Sequence, residues 1–477
     1  MFYSRIKELE QLKEFFKKPN QALALYGKRR VGKTALILNA DKGNKTFIYY
    51  ECLKDNLEIN VMLFVDQCKK MGIKFPQYFK AESFIEVFEY LNSLPQDIII
   101  AIDEYPYLRS FTDSNIIDSA FQYIIDNLLK NINLIISGSE IKMMEQIINE
   151  KNPLYGRFSS TILLEELNYI EVANFYNNKS IYDKIGFYSV FGGSPFINSF
   201  IDPKKSLKEN IIKTYLLVGS AVYNYADSIL ISDVVNELNA KRILSYIANG
   251  KKRHKDIINS LDFNKTGLLS KSLNSLVELK LLKKREPINK LGDAKKTHYE
   301  ICDNVLRFYY TYVYQNKTQL EILGPDAFYD EYIEPTIVNY ISYRFEEQCR
   351  TYFSLLVRNG TLKNIKNIGT YYYDDKENKT NGEFDIVIET QKGFDIYEAK
   401  YLKEPLLFKS MHIEKEQIEK IIEIKVNNIG FVSASGFNEK TDEFICIEGK
   451  DLYNLWFYSS YAIQLLRKIK ALAFVCF

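Results

Sequence analysis

The sequence has few of the residues from which compact metal or redox motifs are built. Histidine occurs only at positions 254, 298 and 412 of the 477 residues, and none of the three lies in a spacing typical of metal ligands. Six cysteines are scattered without a Cys-x-x-Cys pair, which predicts neither a disulfide framework nor a zinc site. We therefore expect reduced, mostly buried thiols.

Long apolar segments are also lacking. No apolar run approaches the roughly 18 residues that a membrane-spanning helix needs. Residues 1–16 lack the continuous hydrophobic stretch of a signal peptide, so we expect a cytoplasmic protein with no membrane partner. At about 150 residues per domain, the length predicts roughly three domains.

A net charge of +2 hides an uneven distribution of charge. Residues 241–300 contain 15 Lys or Arg against 6 Asp or Glu, which leaves a net charge of −7 for the remainder. Nucleic acid is the commonest partner of such a basic segment. A merely solvated surface is the alternative.

The first 200 residues alternate apolar runs with helical patterns. This alternation predicts an α/β fold in which helices wrap a parallel sheet. The runs expected as strands are Ala22 to Tyr26, Thr46 to Glu51, Asp97 to Asp103, Asn133 to Ser137 and Thr161 to Leu164.

The segment "GKRRVGKT" between the first predicted strand and the next helix fits G-x-x-x-x-G-K-[ST] without a mismatch. In this motif, backbone N–H groups surround the phosphates of a nucleotide, the lysine supplies positive charge, and the final hydroxyl binds magnesium. The sequence therefore predicts an ATP and Mg²⁺ site. Its residues are Gly27, Lys28, Arg29, Arg30, Val31, Gly32, Lys33 and Thr34.

Two adjacent acids end the apolar strand in "DIIIAIDEYPYL". Asp103 would hold magnesium through water, and Glu104 would orient and polarise the attacking water. Solvated residues at a strand end are the alternative for such a pair. Ser137 and Ser139, at the end of the run "NLIISGS", are candidate sensors of the γ-phosphate, and an ordinary turn after a strand is the alternative. Arg157, in "NPLYGRFSS", either supplies charge to the transition state, in cis or across a subunit boundary, or lies on the surface.

Residues 239–300 predict three short helices followed by a basic hairpin, the order of a winged helix-turn-helix. The third helix, about Lys265 to Leu279, is the expected recognition helix. Its apolar stripe is Leu268, Leu269, Leu273, Leu276 and Leu279. The side chains left for DNA are Lys265, Thr266, Lys271 and Asn274. Docking of a partner protein fits this pattern about as well as salt-dependent DNA binding.

A second set of acids lies near the C-terminus. The segment "GEFDIVIETQKGFDIYEAKY" predicts a hairpin with strands Glu383 to Thr390 and Phe394 to Tyr401. Because side chains alternate along a strand, Glu398 and Lys400 face the same side. Asp385 and Glu398 would then share Mg²⁺ or Mn²⁺ next to Lys400, as metal-dependent phosphodiester hydrolysis requires.

An upstream helical segment, "FEEQCRTYF", offers a further acid for this site, either Glu346 or Glu347. Glu383 precedes Asp385 on the same strand face, which strengthens the prediction of an acidic cluster. Cleavage of DNA and binding of DNA without cleavage both remain open for such a site.

Taken together, these motifs resemble the prokaryotic, archaeal-type P-loop ATPases of the STAND branch of the AAA+ superfamily. The resemblance covers nearly the full chain and includes "YSRIKELEQL", "YGKRRVGKT", "IIAIDEYPYL", "LIISGS", "PLYGR" and "FGGSPF". It implies that Arg5 and Glu8 lie near the edge of the nucleotide base. It also implies that Gly193 and Pro195 contact the nucleotide from a helical lid, and that the C-terminal acids belong to a restriction-endonuclease-like PD-(D/E)XK domain.

We therefore expect an α/β protein of four parts. These are a P-loop ATPase core at residues 1–170, a helical lid at 171–238, a winged helix-turn-helix at 239–315 and a restriction-endonuclease-like domain at 316–477. The expected function is ATP hydrolysis with DNA as a partner and magnesium-dependent nuclease chemistry. The alternative is an ATP-driven regulatory switch whose C-terminal domain binds a protein partner or a second copy of the chain without cleaving DNA.

Overall fold

The computed structural model describes residues 5–111, 113–220, 222, 239–250, 252–261, 266–375, 380–419, 425–439 and 441–454. The chain divides into two compact units, Met1–Leu167 with Ser194–Phe196, and Asn168–Gly193 with Ile197–Phe477. Within the described residues, no helix combines the length and apolar character needed to cross a lipid bilayer.

A five-stranded parallel sheet forms the centre of the first unit, in the order β2-β3-β4-β1-β5. Its strands are β1 Gln21–Tyr26, β2 Thr46–Glu51, β3 Ile98–Asp103, β4 Ile132–Gly138 and β5 Ser160–Leu163. All five were predicted, because apolar runs that are buried on both faces are typical of parallel strands. The predicted α/β class is confirmed for this part of the chain.

Helices cover both faces of this sheet. Along β3, Ile98, Ile100 and Ile102 pack into one buried cluster, while Ile99 and Ala101 pack into the cluster on the other face. The helices are α1 Ile6–Lys17, α2 Lys33–Asn39, α3 Leu57–Lys70, α4 Phe84–Ser93, α5 Pro106–Phe111, α6 Ser114–Asn127 and α7 Ile141–Ile147. The phosphate loop follows β1, and Asp103 and Ser137 lie at or near the ends of β3 and β4, whereas Arg157 precedes β5.

Short helices continue the chain after β5. They are α8 Tyr169–Val172, a 3₁₀ turn Ala173–Tyr176, α9 Ile181–Phe191, α10 Pro195–Asn198, α11 Leu207–Ile211 and a π-helical segment Ile212–Leu216. Side chains cap the N-termini of several of these helices. Asn168 and Ser206 form capping boxes, and the Ser180 hydroxyl accepts a hydrogen bond from the backbone N–H of Asp183. Residues 223–238 of the predicted lid lie outside the described residues.

Three helices and a two-stranded hairpin follow, in the predicted order. They are α12 Ala240–Ala248, α13 His254–Leu261, α14 Thr266–Glu278, β6 Leu282–Arg285 and β7 His298–Ile301. β6 and β7 are antiparallel. We call residues 282–301, both strands and the segment between them, the β6–β7 hairpin.

A helical region then leads to a mixed sheet. Its elements are α15 Asn304–Phe308, π-helical segments Tyr309–Val313 and Tyr329–Ile333, a 3₁₀ turn Tyr314–Asn316, α16 Lys317–Leu323, α17 Pro325–Phe328 and the long α18 Ile337–Arg358. Buried side chains recur along one face of α18, including Ile341, Phe345, Cys349 and Phe353, as expected for an amphipathic helix packed on a sheet.

The C-terminal sheet has the order β12-β11-β10-β9-β8. Its elements are β8 Ile365–Asp375, β9 Thr380–Thr390, β10 Phe394–Lys400, α19 Phe408–Glu419, β11 Val426–Ser433, β12 Ile445–Glu448 and α20 Gly449–Tyr453. β8, β9 and β10 are antiparallel neighbours, whereas β10, β11 and β12 run parallel. The predicted hairpin is thus β9 and β10. The apolar tail at residues 471–477 lies outside the described residues.

Candidate functional site

The loop between β1 and α2 is shaped by its two glycines. A Cβ atom at Gly27 would lie 2.2 Å from the carbonyl oxygen of Leu164, so only glycine permits this approach. Gly32 has a φ of 98°, in the left-handed region that favours glycine. Since α2 begins at the next residue, the loop ends at a helix N-terminus, where backbone N–H groups attract anions.

The ammonium group of Lys33 folds back over this loop. It donates to the carbonyl oxygens of Gly27 at 3.0 Å and Lys28 at 3.2 Å. The residue is only 6% exposed, and a buried ammonium group requires oxygen partners. Phosphate oxygens can replace these carbonyls, so the position of Lys33 suits its predicted role.

Asp103, at the end of β3, accepts hydrogen bonds from three hydroxyl groups. Its Oδ2 atom accepts from Thr34 Oγ1 and from the Tyr49 hydroxyl, both at 2.8 Å. Its Oδ1 atom accepts from Ser137 Oγ at 2.6 Å. The structure thus brings together Thr34 and Asp103, the two predicted magnesium ligands of this site. A hydroxyl and a carboxylate oxygen in contact suit Mg²⁺, which binds few protein oxygens and keeps several waters.

Ser137 has a partner within the site. Its side chain is fully buried and donates to Asp103, so in this structure it helps to position a carboxylate. Asp103 and Ser137 directly follow the last paired residues of β3 and β4, which places them side by side. The role of Ser137 as a sensor of the γ-phosphate stays a prediction.

Tyr49 was missed by the sequence analysis. Burial, followed by the Asp103 carboxylate, raises the pKa of its phenol far above the usual value, which keeps it protonated as a donor. Glu51 pairs with Asp103 in the parallel ladder, and Tyr49, two residues earlier, lies on the same face as Glu51. Because this register exists only in the folded sheet, the sequence held no signal for Tyr49.

Glu104 is held beside the end of β4. Its φ of 53° is uncommon for a residue with a side chain. Glu104 Oε2 accepts from the backbone N–H of Ser139 at 3.1 Å and from its hydroxyl at 2.8 Å. The loop residue Arg29 reaches the same place, because its Nη2 atom donates to the Tyr107 hydroxyl at 2.6 Å and its Nε atom lies 3.5 Å from Ser139 Oγ.

Arg5 joins the first helix to the phosphate loop. Its guanidinium donates to the carbonyl oxygen of Val31 at 3.2 Å and to that of Glu165, and it lies 3.7 Å from the Glu8 carboxylate. The residue is 6% exposed. Arg5 therefore supports the loop backbone, and its contact with a nucleotide base stays a prediction.

Pro195 and its neighbour lie against the same loop. Pro195 Cγ is 3.7 Å from the position of a Cβ atom at Gly32. The guanidinium of Arg30 lies 4.1 Å from the centroid of the Phe196 ring, in a cation–π contact. The Gly-x-Pro segment implied by the family resemblance is thus next to the loop, while its contact with a nucleotide remains a prediction.

Arg157 lies at the opposite edge of the sheet. It precedes β5, which runs parallel to β1, whereas the phosphate loop follows β1; strands of this length span about 20 Å. Its Nε atom donates to Asp126 at 3.0 Å and its Nη1 atom to the Pro153 carbonyl at 2.7 Å. In this structure Arg157 is paired with Asp126, and its predicted contribution to the transition state, in cis or across a subunit boundary, stays a prediction.

β9 and β10 bring the C-terminal acids together. Asp385 and Glu398 are opposite each other, one step beyond the last paired residues of the antiparallel register. Lys400 Nζ lies 3.4 Å from Glu398 and 2.6 Å from Glu414 on α19. Burial raises the pKa of Glu398 to about 7, despite the nearby ammonium group. Glu414 was not identified from the sequence.

Of the two glutamates on α18, Glu346 belongs to this cluster. Burial and then the Asp385 carboxylate raise the pKa of Glu346 to about 8. Glu347 instead forms ion pairs with Arg307 at 3.1 Å and with Lys283. Burial alone would raise the pKa of Glu347, but these cations lower it. The choice that the sequence left open therefore falls on Glu346.

These C-terminal carboxylates are not arranged as a metal site. Among the residues that the structure describes, no group of three or more His, Cys, Asp or Glu side chains is placed to hold a metal ion. Carboxylate oxygens are suitable ligands for Mg²⁺ and Mn²⁺. However, Asp385 lies 3.7 Å from the guanidinium of Arg285, and Lys400 contacts Glu398. The donor chemistry fits a divalent cation, whereas the arrangement of the side chains does not.

The predicted recognition helix, α14, has a buried apolar stripe. Its buried leucines are Leu269, Leu273 and Leu276. Leu268 is 50% exposed, contrary to the prediction. Leu269, Leu273 and Leu276 are four and three residues apart and share one helix face, and Leu268 lies beside that face. Lys271 and Asn274 are exposed, as predicted, while Lys265 and the side chain of Thr266 lie outside the described part of the chain.

Comparison with solved structures finds similarity to the Walker-type ATPase PABY2304 of Pyrococcus abyssi, at 21% identity over 65% of this chain and 95% of that one, with a TM-score of 0.48. The chain is also similar to the Aeropyrum pernix ORC2 protein in its ADPNP–ADP complexes, at 11% identity over 67% and 95% of the two chains, with a TM-score of 0.46. At TM-scores below 0.5, neither likeness bears on the function of this chain.

Comparison with protein families is more informative. Residues 2–197 match an ATPase domain predominantly from Archaea, and residues 309–421 match a family of archaeal and bacterial proteins of unknown function. An uncharacterized protein of Methanocaldococcus jannaschii, MJECL04, is 30% identical over 364 residues, which is 74% of this chain and 77% of that protein. The prediction of an archaeal-type ATPase domain is confirmed. The chain therefore belongs to the same family as this relative, and its residues 2–197 form an archaeal-type ATPase domain.

Proposed function

We propose that the protein binds ATP with Mg²⁺ and hydrolyses it at the loop between β1 and α2. The observation that carries this proposal is the hydrogen bond of 2.8 Å between Thr34 and Asp103, which lie 69 positions apart in the chain. Lys33 directly precedes Thr34, and Glu104 directly follows Asp103. All four lie at the carboxyl edge of the parallel sheet, where open α/β sheets bind their ligands.

Each residue has a distinct part in this proposal. The loop N–H groups receive the phosphates, and Lys33 exchanges its two carbonyl partners for phosphate oxygens. Thr34 and Asp103 would hold Mg²⁺, which neutralises charge on the β- and γ-phosphates when bound. Glu104 accepts a hydrogen bond from the attacking water and aligns it, while Ser139 fixes the orientation of Glu104.

Two variants separate nucleotide binding from hydrolysis. Lys33→Ala is expected to weaken binding of a fluorescent ATP analogue, whereas Glu104→Gln keeps binding and slows phosphate release by about 100-fold. Lys69→Ala, an exposed lysine paired with Asp66 on α3, is the control for both. A Glu104→Gln protein that releases phosphate at the normal rate would remove Glu104 from the proposed mechanism.

We further propose four domains of a STAND-type ATPase along the chain. They are the ATPase core at 1–170, the helical lid at 171–238, the winged helix-turn-helix at 239–315 and the restriction-endonuclease-like domain at 316–477. Support for a lid that follows the core in the chain comes from the ATPase-domain match, which extends to residue 197. The segment Ser194–Phe196 also belongs to the first compact unit.

DNA is the proposed partner of the third domain. Support comes from the exposed Lys271 and Asn274 on α14 and from the basic composition of residues 241–300. Fluorescence anisotropy with a labelled duplex tests this directly. Lys271→Ala is expected to weaken binding on all sequences and to reduce the slope of log K against log salt by about one, as loss of one phosphate contact does. A salt-independent affinity would favour protein docking instead.

Phosphodiester hydrolysis is the proposed activity of the fourth domain. Support comes from the proximity of Asp385, Glu398 and Glu346, with Lys400 beside them. We expect the purified chain to cut labelled single-stranded, duplex or branched DNA with Mg²⁺ or Mn²⁺, and Asp385→Ala and Lys400→Ala to abolish cutting. Failure on all three substrates, with and without ATP, would eliminate the nuclease.

A regulatory switch is the second candidate for the whole protein. It is favoured by the ion pairs of Arg285 with Asp385 and of Lys400 with Glu414, which engage the acidic cluster within the protein itself. In a switch, ATP controls the binding of a partner protein or of a second copy, and no bond in DNA is cut. Cellular activity that survives Lys400→Ala but is lost with Lys33→Ala would identify the switch.

A further inference from the structure

Hydrogen bonds attach the β6–β7 hairpin to the backbone of β8 in the C-terminal sheet. The N–H group of Ile288 donates to the carbonyl oxygen of Thr370 on β8 at 2.7 Å. The side chain of Asn289 bonds both backbone groups of Tyr372: it donates to the carbonyl at 2.8 Å and accepts from the N–H at 3.1 Å. These three hydrogen bonds fix the register of the hairpin against β8.

Close packing reinforces this attachment. A Cβ atom at Gly369 would lie 2.7 Å from Ile288 Cγ2, so β8 needs glycine where the hairpin crosses it. Ile288 packs on the buried cluster of the sheet, which includes Phe384. Lys296 Nζ lies 3.4 Å from the centroid of the Tyr372 ring. The hairpin and the sheet therefore share one core.

This attachment carries Arg285 to the acidic cluster. Arg285 Nη1 donates to Glu300 of the hairpin at 2.9 Å, while Nη2 donates to Glu383 at 3.2 Å and lies 3.7 Å from Asp385 Oδ1. The side chain of Arg285 is 22% exposed, and that of Asp385 is 40% exposed. The rigid fork of a guanidinium matches carboxylates well, so Arg285 connects the hairpin with two acids of β9.

The same arrangement opposes the binding of a cation. Opposite charges within about 4 Å attract strongly where water is partly excluded, and like charges repel to the same extent. A divalent ion at Asp385 would meet the positive charge of Arg285 at short range. Arg350, whose Nη1 atom donates to the Asp385 backbone carbonyl at 2.6 Å, holds β9 in this position from α18.

We propose that Arg285 is a built-in counter-charge that holds the acids of β9 in ion pairs and so keeps the acidic cluster closed to divalent cations. This inference rests on the nuclease function proposed for the fourth domain, and it explains why carboxylates of suitable chemistry are not arranged as a cation site in this structure. It gives the hairpin a second role beside the proposed contact with DNA, because the hairpin supplies the positive charge that occupies these carboxylates.

The test is binding of Mn²⁺ to the full chain without nucleotide, measured from the electron paramagnetic resonance signal of free Mn²⁺. Arg285→Met is expected to bind Mn²⁺ on the order of tenfold more tightly than the wild type. The gain should vanish in the double variant with Asp385→Asn, which assigns it to the acidic cluster. Lys284→Met, a loss of the same charge at an exposed neighbouring position, is the matched control and should resemble the wild type.

Hydrogen exchange on the wild type provides a second measurement that needs no variant. Saturating Mn²⁺ is expected to increase exchange of the Ile288 and Tyr372 amides, because the bound ion displaces Arg285 and loosens the hairpin. Equal Mn²⁺ affinity in wild type and Arg285→Met, or unchanged exchange, would overturn the closure alone. Absence of Mn²⁺ binding in every variant would overturn both the closure and the proposed cation chemistry.

Discussion

Around Asp103, hydroxyl groups from three separate segments meet one carboxylate. Thr34 comes from α2, Tyr49 from β2 and Ser137 from β4. Hydrogen bonds to a charged acceptor are stronger than bonds between neutral groups, so each donor helps to fix the direction of the carboxylate oxygens. At the scale of single residues, the geometry of the proposed magnesium site therefore depends on Tyr49 and Ser137 as well as on the residues of the motifs.

Tyr49→Phe tests this dependence. Removal of the hydroxyl leaves Asp103 with one donor fewer, and a hydrogen bond to a charged group contributes about 1.5–3 kcal/mol. We expect the ATPase rate to fall on the order of tenfold, measured as phosphate release at saturating ATP. Tyr50→Phe is the control, since its hydroxyl donates to Asn60 on the other face of β2. A Tyr49→Phe enzyme with the wild-type rate would show that Tyr49 is not needed to position Asp103.

Gly27→Ala tests the close approach of the loop to the residue after β5. The added methyl group would lie 2.2 Å from a backbone oxygen that cannot rotate away. We expect loss of detectable ATP binding and a lower free energy of unfolding by about 1–3 kcal/mol, measured by titration of an ATP analogue and by urea denaturation. Gly267→Ala is the matched control, because among the described residues no atom outside its chain neighbours and its own helix backbone lies within 4 Å of the added methyl group. Equal losses in both variants would contradict this explanation.

At the scale of elements, the β6–β7 hairpin depends on a buried acid. Glu300 on β7 is 5% exposed and pairs with Arg285 at 2.9 Å and Lys283 at 3.7 Å. Burial alone would raise the pKa of Glu300, but Arg285 and Lys283 lower it below its ordinary value. A pKa that is lower in the folded than in the unfolded chain stabilises the fold above the unfolded-state pKa.

Glu300→Gln should therefore destabilise the protein in a pH-dependent manner. At pH 7 we expect a loss of about 2–4 kcal/mol, since removal of one charge leaves Arg285 without one of its two hydrogen-bonded carboxylates. The difference from wild type should shrink as the pH falls below about 4.5, because Glu300 then takes up a proton in the unfolded chain, whereas its lower pKa keeps it charged in the folded chain. Urea denaturation of both proteins between pH 7 and pH 3.5 measures this. A difference that is constant with pH would contradict the ion-pair explanation.

Elements and their contacts differed in how well the sequence predicts them. The strands of the parallel sheet and the β9–β10 hairpin were predicted because apolar runs and turn residues are local signals. Arg285 was not identified, since its partner Glu383 on β9 lies 98 positions away in sequence. Glu414 was not identified, because only the folded structure brings α19 against Lys400 of β10. The contact of Ser137 with Asp103 depends on strand order and direction, which a single sequence does not contain.

At the scale of the whole molecule, two compact units predict separate responses to nucleotide. A ligand that binds only the folded first unit stabilises it by about 2.7 kcal/mol at a hundredfold excess over Kd. In scanning calorimetry we expect Mg²⁺ and ATP to raise the temperature of one unfolding transition and to leave the temperature of another unchanged. Lys33→Ala should abolish this shift while Lys69→Ala retains it. A single transition that moves as a whole would mean that the two units unfold together.

The tripeptide Ser194–Phe196 belongs to the first unit although the residues on either side of it belong to the second. The chain therefore crosses between the units three times, after Leu167, Gly193 and Phe196. In evolutionary terms, recombination at the first crossing alone would separate the phosphate loop from the proline and the phenylalanine that pack on it. A gene segment that extends past Phe196 keeps the loop together with both of these side chains.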